Sequence, residues 1–211
     1  MSEALLSTQG LMKRFGGLVA TDHVSIDVLP GEIHALIGPN GAGKTTLVGQ
    51  LTGNLRPDAG TIRFAGEDIT TASSKQLRRL HGAAISMIFQ NPRAALNPIR
   101  RVGKQIEDVL LKHTTTLRDK AKERAIECLA QVRIPDPARR YDAYPFELSG
   151  GQCQRVMIAM ALACDPKVLI ADEPTTALDV TVQAQILELI QKIQNEMRAA
   201  VVLITHDLGV V

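Results

Sequence analysis

Eight consecutive residues, Gly38-Pro39-Asn40-Gly41-Ala42-Gly43-Lys44-Thr45, follow the pattern G-x-x-x-x-G-K-[ST]. Glycines at those positions let successive backbone amides converge on the β- and γ-phosphates of a nucleotide, helped by the positive end of the following helix. Lys44 brings a point charge to the same oxygens, and the Thr45 hydroxyl is a hard ligand suited to Mg²⁺, with Thr46 beside it in the binding set. Far downstream, the apolar run beginning at Val168 ends on two carboxylates, Asp172 and Glu173. Asp172 is suited to hold Mg²⁺, directly or through water, and Glu173 to orient and deprotonate a water in line with the γ-phosphate. Acidic residues at strand ends also serve as helix caps; the pairing with the glycine loop favours the catalytic reading.

A second glycine motif, Leu148-Ser149-Gly150-Gly151-Gln152, opens a segment with helical character. Its backbone amides and the Ser149 hydroxyl form an anion site. The plain alternative is an N-cap followed by a glycine turn. Because the chain already carries one complete phosphate loop, a second anion site points to the γ-phosphate of another molecule's ATP.

These motifs need elements to hold them. Ile33–Ile37 is a short apolar run that reads as a buried strand feeding the glycine loop, and Lys44–Leu51 reads as the helix after it. Residues 24–28 alternate as a strand before the Pro30-Gly31 turn, and 85–89 predict a strand ending at Gln90. Helices are expected over 105–112 and 117–132, the latter with an Ala121, Ala125, Leu129, Val132 stripe and Asp119–Lys122 and Arg124–Glu127 pairs. Residues 133–146 read as loop, 150–164 as a helix capped by Ser149, and 168–171 and 201–204 as buried strands. Val182, Ile186, Ile190, Ile193 and Met197 mark one face of a long helix. Apolar strands alternating with helices predict an α/β fold with a mostly parallel sheet covered on both faces. A core of 1–90 and 150–211 would carry an inserted helical lobe at about 91–150.

The bulk numbers narrow the function. A net charge of +2, no Trp, two Tyr and four Phe give little with which to bind or stack nucleic acid. The Arg pairs at 78–79, 100–101 and 139–140 read as solvated faces. No apolar run reaches the roughly 18 residues of a membrane span, and the start lacks the pattern of a secretory signal. Work at a membrane would therefore go through a partner. Cys128, Cys153 and Cys164 are widely spaced and read as reduced cytosolic thiols.

Taken together, these motifs resemble the ATP-binding-cassette ATPases over essentially the whole chain: a P-loop NTPase core with an N-terminal antiparallel β portion and a helical lobe. The resemblance implies that Leu148 to Gln152 is the signature motif, completing the site of an opposing subunit in a head-to-tail dimer. By the same resemblance Phe15 stacks on adenine, and Gln90 touches Mg²⁺ or the attacking water and reports to the membrane partner. Asp179 lies at the dimer seam, and His206 contacts the γ-phosphate. ATP and Mg²⁺ are the implied ligands. The implied partners are a second ATPase subunit, two permease subunits and, indirectly, a substrate-binding protein, at the cytoplasmic face of a bacterial inner membrane.

Within that family, Phe15 to Ala20 and Gly31 to Ile37 are similar to ATPases of branched-chain amino-acid importers. Phe89-Gln90-Asn91-Pro92, Ala95 to Pro98, Tyr144 to Ser149 and Ala171 to Gln185 resemble ATPases of dipeptide, oligopeptide and nickel importers. The segments that meet the permease in this family belong to the second set, which favours a peptide-type importer. Asn91 stands where the peptide branch carries an acidic residue, and Cys153 stands where a polar residue is common, which opens the idea of a thiol-sensitive dimer face. The chain stops at Val211, soon after His206, whereas family members continue, so a C-terminally truncated cassette is expected. An ATP-binding module with little hydrolysis stays open as an alternative. A cassette of DNA repair or translation would need a coiled-coil insertion or a second cassette.

Overall fold

The computed structural model describes residues 3–176 and 178–206. The chain begins with β1 (Leu6–Phe15) and β2 (Leu18–Val28), then β3 (Ile33–Ile37) and α1 (Lys44–Leu51). Next come β4 (Ala59–Phe64), β5 (Glu67–Asp68), α2 (Ser74–Leu80) and β6 (Ile85–Ile88). A helical stretch follows: α3 (Pro92–Ala95), α4 (Val102–His113), α5 (Ala121–Gln131), α6 (Pro137–Arg140) and α7 (Gly150–Leu162). The described chain closes with β7 (Val168–Asp172), α8 (Val180–Met197) and β8 (Ala200–Thr205).

Two sheets result. One is antiparallel in the order β2-β1-β4-β5, and the other runs β3-β8-β7-β6 with every neighbour parallel. β7 and β8 are apolar on both faces because both are covered, whereas the edge strand β3, expected to be buried, leaves Ile33 and Ile37 exposed. Side chains that alternate along a strand go to two different cores. Ile85, Val168, Ile170, Val202 and Ile204 pack with α1 and the antiparallel sheet. Ile88, Leu169, Ala171, Val201 and Leu203 pack with α4, α5, α7 and α8. Burial is therefore set strand by strand at a period of two, and the sheet cannot slip without exposing one core.

Several expectations shift at their edges. The helix expected over 117–132 starts at Ala121, after a turn closed by the Lys120 amide on the Leu117 carbonyl at 3.0 Å. Its stripe is buried as expected, but Lys120 pairs with Glu123 at 3.2 Å in place of the anticipated Asp119–Lys122 pair. Lys122 instead stands 5.0 Å from the Tyr141 ring centroid. The stretch 133–146, read as loop, contains α6 and starts a 3₁₀ turn at Pro145–Glu147. Both begin at a proline, whose fixed φ suits a first helical position. The sequence reading did not mark β1, β4, β5 or α2: β4 is held on β1 by pairing with distant residues, β5 closes a short hairpin on β4, and α2 opens on a Ser73–Gln76 capping box.

The helical stretch is pinned at Tyr141, only 1% exposed, whose hydroxyl donates to the Glu107 carboxylate. Gly103 makes this possible, because any Cβ there would overlap the tyrosine ring. No described helix is long and apolar enough to cross a membrane.

Candidate nucleotide site

The strand order of the parallel sheet decides which motifs meet. At the carboxyl edge, β3 delivers the glycine loop, β8 delivers His206, β7 delivers Asp172 and Glu173, and β6 delivers the segment holding Gln90. Open parallel sheets bind ligands at that edge. Register places Ile37 opposite Thr205 and Asp172 opposite Ile204, so the three loops leave the sheet at one level.

The glycine loop is backbone-determined at Gly43. This residue caps α1 with φ 86°, and a Cβ there would overlap the Ala20 carbonyl of β2. Both facts restrict the position to glycine. The loop therefore sits on the first strand pair, which explains why the antiparallel sheet bears on the site. The Lys44 ammonium donates to the carbonyls of Gly38 at 2.6 Å and Pro39 at 2.9 Å. Its chain thus folds back over the loop that it must serve.

A cavity of 450 Å³ opens over this loop, lined by Asn40, Gly41, Gly43, Lys44, Thr45 and Thr46 on one side and Gln90, Asp172 and Glu173 on the other. Phe15, Leu18, Val19 and Ala20 close its far end. Phe15 is half exposed, and the Lys13 ammonium lies 5.9 Å from its ring centroid. Leu18 and Val19 belong to this wall but escaped the sequence reading; the Gly16-Gly17 hairpin tip was the only signal, and it gives no direction.

Glu173 is the most constrained group in the site. It is 9% exposed, sits at φ 46°, and its amide donates to the Ile204 carbonyl at 3.0 Å. One carboxylate oxygen, Oε2, accepts from the Gln90 amide at 2.8 Å and from the Thr176 hydroxyl at 3.0 Å. The other, Oε1, faces His206 Nδ1 at 3.2 Å. Burial works to raise this carboxyl, but hydrogen bonds from His206 and Thr176, with the charges of His206 and Lys44, hold it below the ordinary carboxylate range. Asp172 goes the other way: burial raises it, the neighbouring Glu173 charge adds to that, and Lys44 opposes both. Two adjacent carboxylates thus differ in proton affinity, and a bound cation would relieve the one that is raised.

The second glycine motif lies elsewhere. Ser149 caps α7 in a reciprocal box: the Gln152 amide donates to Ser149 Oγ at 3.3 Å, and the Ser149 amide donates to Gln152 Oε1 at 3.1 Å. The two glycines differ. A Cβ on Gly151 would come 2.9 Å from Val182 Cγ1 of α8, whereas Gly150 has only Leu178 Cδ2 at 3.8 Å. None of Ser149 to Gln152 lines the 450 Å³ cavity. Gly150 instead borders a cleft with Gln90, Arg93, Thr176 and Leu178. Asp179 caps α8 by accepting from the Val182 amide at 3.0 Å and is likewise outside the cavity. Asn91 caps α3, accepting from the Ala94 amide at 3.2 Å. Cys153 is fully buried with its thiol on the Pro145 carbonyl at 3.3 Å, and burial pushes that thiol up. A thiol-sensitive face at Cys153 is therefore excluded, since the sulfur faces the interior.

The geometry agrees with what comparison reveals. A family model described as "ABC transporter" matches residues 21–176. The oligopeptide transport ATP-binding protein AmiE of Streptococcus pneumoniae is 48% identical over 199 residues, covering 92% of this chain and 56% of that protein. The dipeptide transport ATP-binding protein DppD of Bacillus subtilis is 47% identical over 218 residues, covering 99% of this chain and 65% of that protein. This chain thus spans between about half and two thirds of the length of these relatives. Among solved structures, the dimeric post-hydrolysis state of the ATP-binding cassette MJ0796 bound to ADP and Pi superimposes with a TM-score of 0.87 at 28% identity, covering 97% of this chain and 89% of that one.

Proposed function

This chain belongs to the ABC transporter family, and on that premise we propose that it binds and hydrolyses ATP to drive a membrane importer of peptides. The observation that carries the chemistry is Glu173, a buried carboxylate held by Gln90, Thr176 and His206 at the mouth of a cavity floored by Lys44 and the glycine loop. The peptide class rests on relatives named as oligopeptide and dipeptide transport ATP-binding proteins. The alignment with DppD covers 99% of the chain, the N-terminal portion included.

In this reading the backbone amides of Gly41 to Thr45 take the β- and γ-phosphates, and Lys44 exchanges its bonds to the Gly38 and Pro39 carbonyls for phosphate oxygens. Phe15 supports the base. Thr45 and Asp172 would hold Mg²⁺. They are hard oxygen donors in one cavity, which suits an ion that prefers oxygen ligands and keeps several waters. When bound, that ion would neutralise negative charge on the nucleotide's phosphates. Glu173 takes the proton of the attacking water, and His206 steadies the γ-phosphate. Ser149, Gly150, Gly151 and Gln152 lie away from the cavity of their own chain, which fits delivery to a partner subunit's nucleotide. Asp179 stands at that seam. The helical segment at about 91–150, reached through Gln90, would carry the motion to two permease subunits at the cytoplasmic face of a bacterial membrane, with a substrate-binding protein beyond them.

Replacing Glu173 with Gln tests the core of this reading. Phosphate release should fall about 10²-fold or more while ATP binding persists and an ATP-bound dimer accumulates. Full turnover by E173Q, measured as phosphate release from the purified protein with its partner present, would remove Glu173 as the base. Copurification with a peptide permease tests the transport half.

A further inference from the structure

The turn after β7 contains a residue that the motif reading left without a task. Glu173 adopts φ 46°, its amide is tied to the Ile204 carbonyl at 3.0 Å, and its carbonyl accepts from the Thr176 amide at 3.2 Å. That reverse turn folds Thr176 back on Glu173, so that its hydroxyl donates to Oε2 at 3.0 Å. The same oxygen accepts from Gln90 at 2.8 Å, and Oε1 faces His206 at 3.2 Å.

The three partners differ in origin. Gln90 follows β6 and is exposed, and His206 follows β8 with its side chain 48% exposed. Each reaches Glu173 from another strand, so any shift between loops alters its contact. Thr176 belongs to the same hydrogen-bonded turn as the carboxylate and moves with it. Its hydroxyl has no charge to compete for a proton and leaves one lone-pair direction of Oε2 to a second donor. Thr176 also borders the cleft that contains Gln90 and Gly150, between the carboxylate and the second glycine motif.

We infer that Thr176 is a positioning residue: its hydroxyl fixes the direction of Glu173 Oε2, so that this oxygen is already aimed at a water when the Gln90 amide leaves it. This rests on the proposed ATPase reading. A one-ångström error in placing a base costs on the order of 10²-fold in rate, so a tether that holds direction has a measurable effect without touching substrate.

The test uses Thr176→Val, which keeps the shape and removes the donor, and Thr176→Ser, which keeps the donor. Wild-type phosphate release is measured first, in the presence of the partner subunits. T176V should lower kcat about tenfold with KM for ATP and ATP affinity unchanged, and T176S should recover most of the loss. In an E173Q background, T176V should cost nothing further in single-turnover hydrolysis, because no base remains to be aimed. Normal kcat in T176V, equal losses in T176V and T176S, a parallel fall in ATP affinity, or additive losses with E173Q would each overturn the inference. If T176V does not fold, T176S at wild-type kcat supports the tether and T176S with a large kcat loss overturns it. A wild-type protein without phosphate release overturns the proposed function itself, a result separate from any of these.

Discussion

Glu173 and Cys153 illustrate how surroundings assign a residue its chemistry. The carboxylate sits below the ordinary range despite its burial, because hydrogen bonds from His206 and Thr176, with the charges of His206 and Lys44, offset it. In the thiol the balance is reversed: burial raises it, and the charge and hydrogen bond of Arg93 oppose that without overcoming it. The other cysteines follow the same rule: burial raises Cys128, and Cys164 is pushed up to about 11, first by burial and then by the Asp165 charge. Since the thiolate is the reactive form, a disulfide reagent at neutral pH should modify Cys164 slowly and reach Cys128 and Cys153 only after unfolding. Rapid labelling of Cys153 in the native protein, read by mass spectrometry, would contradict its interior placement. Most of the site residues were legible in the sequence because their types are chemically committed. Thr176 was not, since a threonine has no fixed task until a turn aims it.

At the level of elements, α7 and α8 share a contact that separates two uses of glycine. Gly151 is needed within its own chain, because a Cβ would press on Val182 at 2.9 Å. A Cβ on Gly150 would make only an ordinary contact with Leu178 at 3.8 Å, and the residue has an edge on the neighbouring cleft. Gly151→Ala should therefore lower stability by about 1–3 kcal/mol, as overpacking does, and Val182→Ala should restore much of it; urea unfolding of the three proteins checks this. Gly150→Ala should leave unfolding nearly unchanged and lower turnover, if an approaching phosphate uses that space. Unaltered turnover in G150A would remove the main argument for a shared site. The two glycines look alike in the sequence, because which of them faces another helix depends on how α7 lies on α8.

For the whole molecule, the glycine loop, Asp172 and Glu173 line one cavity at the carboxyl edge of the parallel sheet, while the start of α7 lies outside it, a division that the proposed reading assigns to a site shared by two chains. Such a division predicts mass action: specific ATPase activity should rise with protein concentration and saturate once pairs form. Phosphate release per chain across a dilution series, with sedimentation at the same concentrations, measures this. Constant activity in a strictly monomeric sample would rule out the two-chain site.

The residue pattern by itself determined the glycine loop between its strand and helix, the carboxylate pair, the strands beneath them and the capped helix at Ser149, because each is a local consequence of residue type and spacing. It could not determine that β8 lies between β3 and β7, which seats His206 between the glycine loop and Glu173. It did not disclose the strand pair that presses Ala20 against Gly43, nor the turn that aims Thr176 at Glu173. Those arrangements belong to tertiary structure for one reason: each is set by contacts between residues remote in sequence or by one backbone turn, and neither leaves a periodic trace along the chain.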